Sequence, residues 1–293
     1  MWQGYTLLVE RSLFVSQIHI IVDSIGQVPD EMLAMHPNLH IVALKVRIGD
    51  QEWREDEIST KELFEICKDK RQHPKTSQPA PGDFIEICKP LIKAGKEIII
   101  ISVSGGLSGT VEGARSVAAM LDEKKIHVID SGTASVGMVQ MAKAALEMAL
   151  SGSTAKEIVD RIEALAKATH TLLIPDTLEY LYKGGRIGGA AALFGSILQI
   201  KPLLYLVDGK VAVMDKVRTK QRVVNRMLDE LKKYPDLEYI GVGHIDVPEE
   251  GEALVARIKE LFPNTLILPA GIGSVLGAHL GPGLLGLVFQ EKI

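Results

Sequence analysis

Short aliphatic runs that halt on small polar residues recur through the first half of the chain. Ile18 to Val22 stops at Asp23-Ser24, Ile98 to Ile101 at Ser102-Val103-Ser104, and Ile126 to Ile129, interrupted by His127, at Asp130-Ser131. Compact runs of this kind predict strands covered on both faces. Helical spacing fills the intervals. Leu63, Phe64 and Cys67 share a face between Thr60 and Arg71, a second helix runs from Pro81 to Ala94, and Val111, Ala114, Val117 and Leu121 recur between Ser108 and Leu121. A long helix spans Val136 to Leu150, and a short one follows Pro29. Leu39 to Val46 reads as one strand leading through the turn at Gly49-Asp50 toward Trp53, and Lys75 to Pro81 as a polar loop. Strands alternating with helices predict a mostly parallel sheet whose right-handed crossovers bring the strand ends to one edge.

The pattern changes after Ser151-Gly152-Ser153. Thr154 and Glu157 form a capping box that opens a helix to Ala168. A strand at His170 to Ile174 and a short helix at Asp176 to Tyr182 follow, with Gly184 as the expected left-handed C-cap. Ile200 to Val207 and Lys210 to Val217 meet at Asp208-Gly209, a hairpin signal. A helix to Tyr234, a strand Tyr239 to His244, a helix Pro248 to Leu261 and a strand Thr265 to Leu268 complete the alternation. Residues 271–283 then read as a glycine-rich loop before a last strand, Leu284 to Gln290. The expected fold is α/β: an extension over 1–17, an N-terminal mostly parallel α/β sheet domain over 18–152, and a C-terminal α+β domain over 153–293.

Composition narrows the function classes. With aromatics at only 5%, the cores must be aliphatic, and a net charge of -4 supplies no basic field for nucleic acid. Cys67 and Cys88 stand apart, without CxxC or ligand spacing, and read as reduced core thiols of a cytoplasmic protein. The opening residues are broken by Glu10 and Arg11 and read as neither a signal peptide nor a span, so no stable membrane insertion is expected. GxxxxGK[ST] does not occur, and Gly271-Ile272-Gly273 with Gly277 misses the dinucleotide spacing. No metal or cofactor is expected.

The candidate chemistry clusters at the strand ends. Ser102, Ser104, Ser108 and Thr110 offer hydroxyls, and Gly105, Gly106 and Gly109 let a ligand approach the backbone, an arrangement suited to an anion or simply to a capped turn. Asp23, Ser24 and Ser131 stand at neighbouring strand ends, and the loop at Thr76-Ser77 can present further hydroxyls. His279 can donate to an oxyanion or shuttle a proton. Two chemistries stay open. One is anion binding; the other is acyl hydrolysis or transfer, with Ser104 or Ser108 as nucleophile, His279 as base, and Asp23 or Asp130 orienting it.

Several of these segments match known motifs together: Asp23-Ser24, Thr76-Ser-Gln-Pro79, Ser104-Gly-Gly-Leu-Ser-Gly-Thr110, Asp130-Ser131, Lys183-Gly-Gly-Arg-Ile187, Arg218-Thr219 and His279-Leu-Gly-Pro-Gly283. In this order they resemble the DegV family, whose studied bacterial members are fatty-acid-binding subunits of a fatty acid kinase. The resemblance implies a long-chain fatty acid buried between two domains, with its carboxylate held by Thr76, Ser104 and His279. Ser77, Gly105, Ser108, Gly109, Thr110, Asp23, Ser24, Ser131 and Gly281 would stand nearby. It also implies a separate fatty acid kinase catalytic subunit docking at Arg218, with no nucleotide site on this chain. One position departs: the family usually has two adjacent serines where this chain has Ser104-Gly105.

Overall fold

The computed structural model describes residues 16–195 and 200–293. Most of the predicted extension over 1–17, and residues 196–199, lie outside the described residues. The first part of the chain runs β1 (Ile18–Asp23), α1 (Asp30–Met35), β2 (Leu39–Val42), β3 (Lys45–Ile48), β4 (Gln51–Arg54), α2 (Thr60–Lys70) and β5 (Lys75–Ser77). It continues through α3 (Pro81–Lys93), β6 (Glu97–Ser102), α4 (Thr110–Leu121), β7 (Ile126–Asp130), α5 (Val136–Leu150) and α6 (Ala155–Lys167).

Four of these strands form a parallel sheet in the order β2-β1-β6-β7. Successive side chains of a strand point to opposite faces, and both faces of this sheet are covered. Ile20, Val22, Ile99 and Ile101 pack against α5 and α6, while Ile21, Ile98 and Ile100 pack against Phe84 and Cys88 of α3 and Val117 of α4. That two-sided burial is why the strands read as unbroken aliphatic runs. Both cysteines are buried and free.

The expected strand Leu39 to Val46 is two strands in two sheets. β2 pairs with β1, whereas β3 joins β4 and β5 in a small antiparallel sheet. The predicted loop at Lys75 also changes, since Lys75–Ser77 pairs along β3 with Thr76 opposite Val46. Three polar residues carry no strand signal of their own; the free edge of β3 supplies it.

The second part runs β8 (Thr169–Ile174), α7 (Glu179–Lys183), β9 (Lys201–Val207), β10 (Lys210–Val217), α8 (Lys220–Leu231), β11 (Leu237–His244), α9 (Pro248–Leu261), β12 (Leu266–Pro269), α10 (Ser274–Leu280) and β13 (Leu285–Glu291). Its mixed sheet has the order β10-β9-β8-β13-β11-β12, with only β11 and β12 parallel. Leu172, Ile174 and Leu287 face Met227 of α8 and Ile258 of α9. The alternate positions, Thr171, Leu173 and Val288, face the first sheet across a cavity.

Three further expectations are corrected. The break at 151–153 is a turn inside the first unit: Ala155, Ile158, Ile162 and Leu165 of α6 belong to the first sheet's core, so the chain crosses over at Thr169 rather than at 153. Gly184 has φ -77°, and Gly185 at φ +72° is the left-handed residue after α7. The glycine-rich stretch holds the helix α10. Glycine weakens a helix, but at Gly277 a Cβ would press on Thr60 of α2, so close helix packing selects it.

Candidate functional site

The cavity between the two sheets holds about 1040 Å³ of empty space, including its open mouth. Most of its wall is aliphatic, drawn from the strand ends of the first sheet (Ile25, Val103), from the link between β2 and β3 (Leu44), from the second sheet (Leu173, Leu206) and from α10 (Val275, Leu276). Ligand cavities of this class bury an apolar body and orient it with a few polar groups. Here the polar groups include Thr76, Ser108, Arg186 and His279.

These side chains converge from distant parts of the chain. β5 presents Thr76, and α10 presents His279, whose Nε2 lies 2.7 Å from the Thr76 Oγ1. The His279 Nδ1 is buried without a partner. Gly184 makes room for the ring, because a Cβ there would overlap Nδ1. Burial above all, with the charges of Arg186 and His73, holds the imidazole down to about 4, so His279 is neutral around pH 7. Arg186 is therefore the cation of this group. Its Nε donates to the Leu107 carbonyl at 2.9 Å and its Nη1 to the Gly184 carbonyl at 2.8 Å, which ties the second unit to the turn that carries Ser108. The Ser108 and Thr110 hydroxyls are 2.9 Å apart, and Gly109 faces the cavity, where a Cβ would meet the side-chain amide of Gln78.

Several expected site residues stand elsewhere. Ser104 is fully buried and does not line the cavity; its Oγ donates to the Gly209 carbonyl at 2.8 Å, joining the first unit to the tip of the β9–β10 hairpin. Gly105 is exposed, its N–H donates to Asp130 Oδ1 at 3.0 Å, and a Cβ would press on that carboxylate. A serine here would meet Asp130 rather than the cavity. Ser131 donates to the Thr133 carbonyl. Ser77 is exposed on β5, and Gly281, at φ +74°, closes against the Tyr180 ring. Asp23 and Ser24 lie behind the cavity wall rather than in it. Arg218 is exposed between β10 and Thr219, the N-cap of α8.

The nucleophile arrangement is not present. His279 Nε2 faces Thr76, and the hydroxyls of Ser104 and Ser108 go to Gly209 and Thr110. Sequence reasoning gave no role to Arg186. Its signal was an arginine directly after Gly184-Gly185, at a helix end whose Gly184 carbonyl it bonds; the Leu107 carbonyl, 79 positions earlier, gave no sequence signal. Among the described residues, no group of three or more His, Cys, Asp or Glu could hold a metal ion.

A family model described as "Uncharacterised protein, DegV family" matches residues 17–292. A DegV domain-containing protein of Streptomyces coelicolor is 36% identical over 282 residues, covering 94% of this chain and 99% of its own. Among solved structures, DegV of Bacillus subtilis, described as a fatty acid binding protein, superposes with a TM-score of 0.84 at 28% identity, over 94% of this chain and 100% of that one. A DegV family protein of Thermus thermophilus, described by its fatty acid binding, gives 0.83 at 27% identity, over 94% and 99%.

Proposed function

This chain belongs to the DegV family, and from that membership we propose that it is a carrier: it buries a long-chain fatty acid in the cavity between its sheets and presents the carboxylate to a separate fatty acid kinase subunit, which forms the acyl phosphate. The observation that carries this reading is the placement of Arg186 beside the neutral Thr76–His279 pair in a largely aliphatic cavity. Each buried methylene contributes about 0.8 kcal/mol, so the tail supplies affinity and the polar group supplies orientation. With its Nε2 protonated, His279 donates to Thr76 and leaves the threonine O–H for a carboxylate oxygen. Arg186 adds a charge-assisted bond, and Ser108 stands within the same wall in the part expected of Ser104. For the acyl phosphate to form, the kinase must reach a carboxylate held this way. Among the described residues no helix is long and apolar enough to cross a membrane. The cytoplasm, where a kinase finds its nucleotide, is the compartment the reading requires.

Native mass spectrometry of the purified protein, followed by solvent extraction, tests the reading. The expected result is one fatty acid per chain, lost or weakened in the Thr76→Ala, His279→Ala double variant. A protein that is empty and takes up no added fatty acid would overturn it.

A further inference from the structure

Two carboxylates outside the cavity hold its wall together. Asp23 is fully buried and Glu55 is 5% exposed, and neither lines the cavity. Asp23 Oδ2 accepts from the Val103 N–H at 2.7 Å and Oδ1 from the Ile25 N–H at 3.2 Å. Glu55 Oε1 accepts from the Val275 N–H at 3.2 Å, and Oε2 from the Ser24 hydroxyl at 2.5 Å, which itself accepts from the Leu44 N–H at 3.0 Å. Ile25, Leu44, Val103 and Val275 are all cavity-wall residues, and they come from four separate segments. Val275 lies in the first turn of the helix on which His279 stands one turn later. The approach to that helix is pinned as well, by Thr60 Oγ1 to the Ile272 carbonyl at 2.9 Å and by Ser135 Oγ to the Gly271 carbonyl at 2.6 Å.

We infer that Asp23 and Glu55 are positioning residues for the ligand site, fixing its wall and the His279 helix from behind, and that protons on this pair set how firmly the site is held. The inference rests on the reading of the cavity as the fatty-acid site. The charged groups acting on the pair are acidic: Glu55 on Asp23 from β4's end, and Asp56, paired with Arg54, on Glu55. Across α10, His279 is neutral near pH 7. Burial first, then like charge, pushes both carboxyls up to about 7, against hydrogen bonds that pull them down. An acid raised in the folded state favours the fold while protonated and loses that contribution as pH rises through the folded value. That is a cost to the fold as a whole. The groups that tie the wall to the pair, on Val103, Ile25, Val275 and Ser24, all donate to it and bond the ionised carboxylates more strongly than the acids, so the grip on the wall tightens as pH rises through about 7.

Dodecanoate affinity and the ¹⁵N shift of the His279 ring, followed from about pH 6 to about pH 8.5, test this. In the unaltered protein the affinity is expected to rise about fivefold over this window and the ring shift to move with it. Because His279 itself protonates far lower, such movement reports its surroundings. Glu55→Gln keeps an acceptor for Val275 and offers an N–H to Ser24, as the protonated acid does; both profiles are expected to lose about half of their span and to keep the step of Asp23. Ser24→Ala removes a donor that favours ionised Glu55, and should move the step to higher pH. Profiles that are the same in all three proteins, whether sloped or flat, would overturn the inference. If dodecanoate does not bind at any pH, the carrier reading fails, and the ring shift alone still decides the positioning role.

Discussion

Arg186 is the residue on which the carrier reading turns most sharply. Two of its nitrogens are spent on the carbonyls of Leu107 and Gly184, so the guanidinium is already oriented before a ligand arrives. Hydrogen bonds to charged groups contribute about 1.5–3 kcal/mol, and about 1.4 kcal/mol is a factor of ten. Arg186→Gln is therefore expected to weaken fatty-acid binding about tenfold or more in a calorimetric titration, with an unchanged far-ultraviolet spectrum; equal affinity would remove Arg186 from the head-group set. His279 and Thr76 were recognisable from residue type and motif. Their 2.7 Å contact joins residues 203 positions apart, a proximity that spacing along the chain does not encode. Ser104 shows the reverse case: its motif pointed to the ligand, but its hydroxyl is committed to Gly209.

At the level of elements, the hairpin β9–β10 does more than close a sheet edge. Its Gly209 has φ +71°, and a Cβ there would fall on the Ser104 Oγ. Gly209→Ala therefore combines backbone strain with a clash at the contact between the two units. Such positions cost about 1–2 kcal/mol, to be read as a lower denaturant midpoint at an unchanged slope. The strands buried on both faces were legible because their aliphatic runs have no other use. Lys75–Ser77 and α10 were not: the edge of β3 makes one a strand, and packing on α2 makes the other a helix despite its glycines. The helix α6 had a visible capping box, confirmed by Thr154 accepting from the Glu157 N–H, but which sheet it covers depends on contacts with residues far away.

Over the whole molecule, the cavity and the surface around Arg218, the proposed docking residue, are separate. Arg218 sits exposed beyond β10, and among the described residues it makes no salt bridge, whereas nearby Lys220 is paired with Glu250 and Arg226 with Asp215. Reversing its charge should disturb a partner without touching the ligand. Arg218→Glu is expected to lower acyl phosphate formation by the kinase subunit by about tenfold while fatty-acid affinity stays within about twofold. A parallel fall in both would assign Arg218 to the fold or the cavity instead.

The division between chain and fold follows from the range of the forces involved. Aliphatic runs, capping boxes and the Asp208-Gly209 turn act within a few residues, so the sequence by itself determined the α/β class, the aliphatic interior and the kind of polar groups available. Burial and close approach act between residues tens to hundreds of positions apart. They alone decided that Arg186 joins Thr76 and His279, that Ser104 bonds the hairpin, and that Asp23 and Glu55 brace the wall of the cavity from behind.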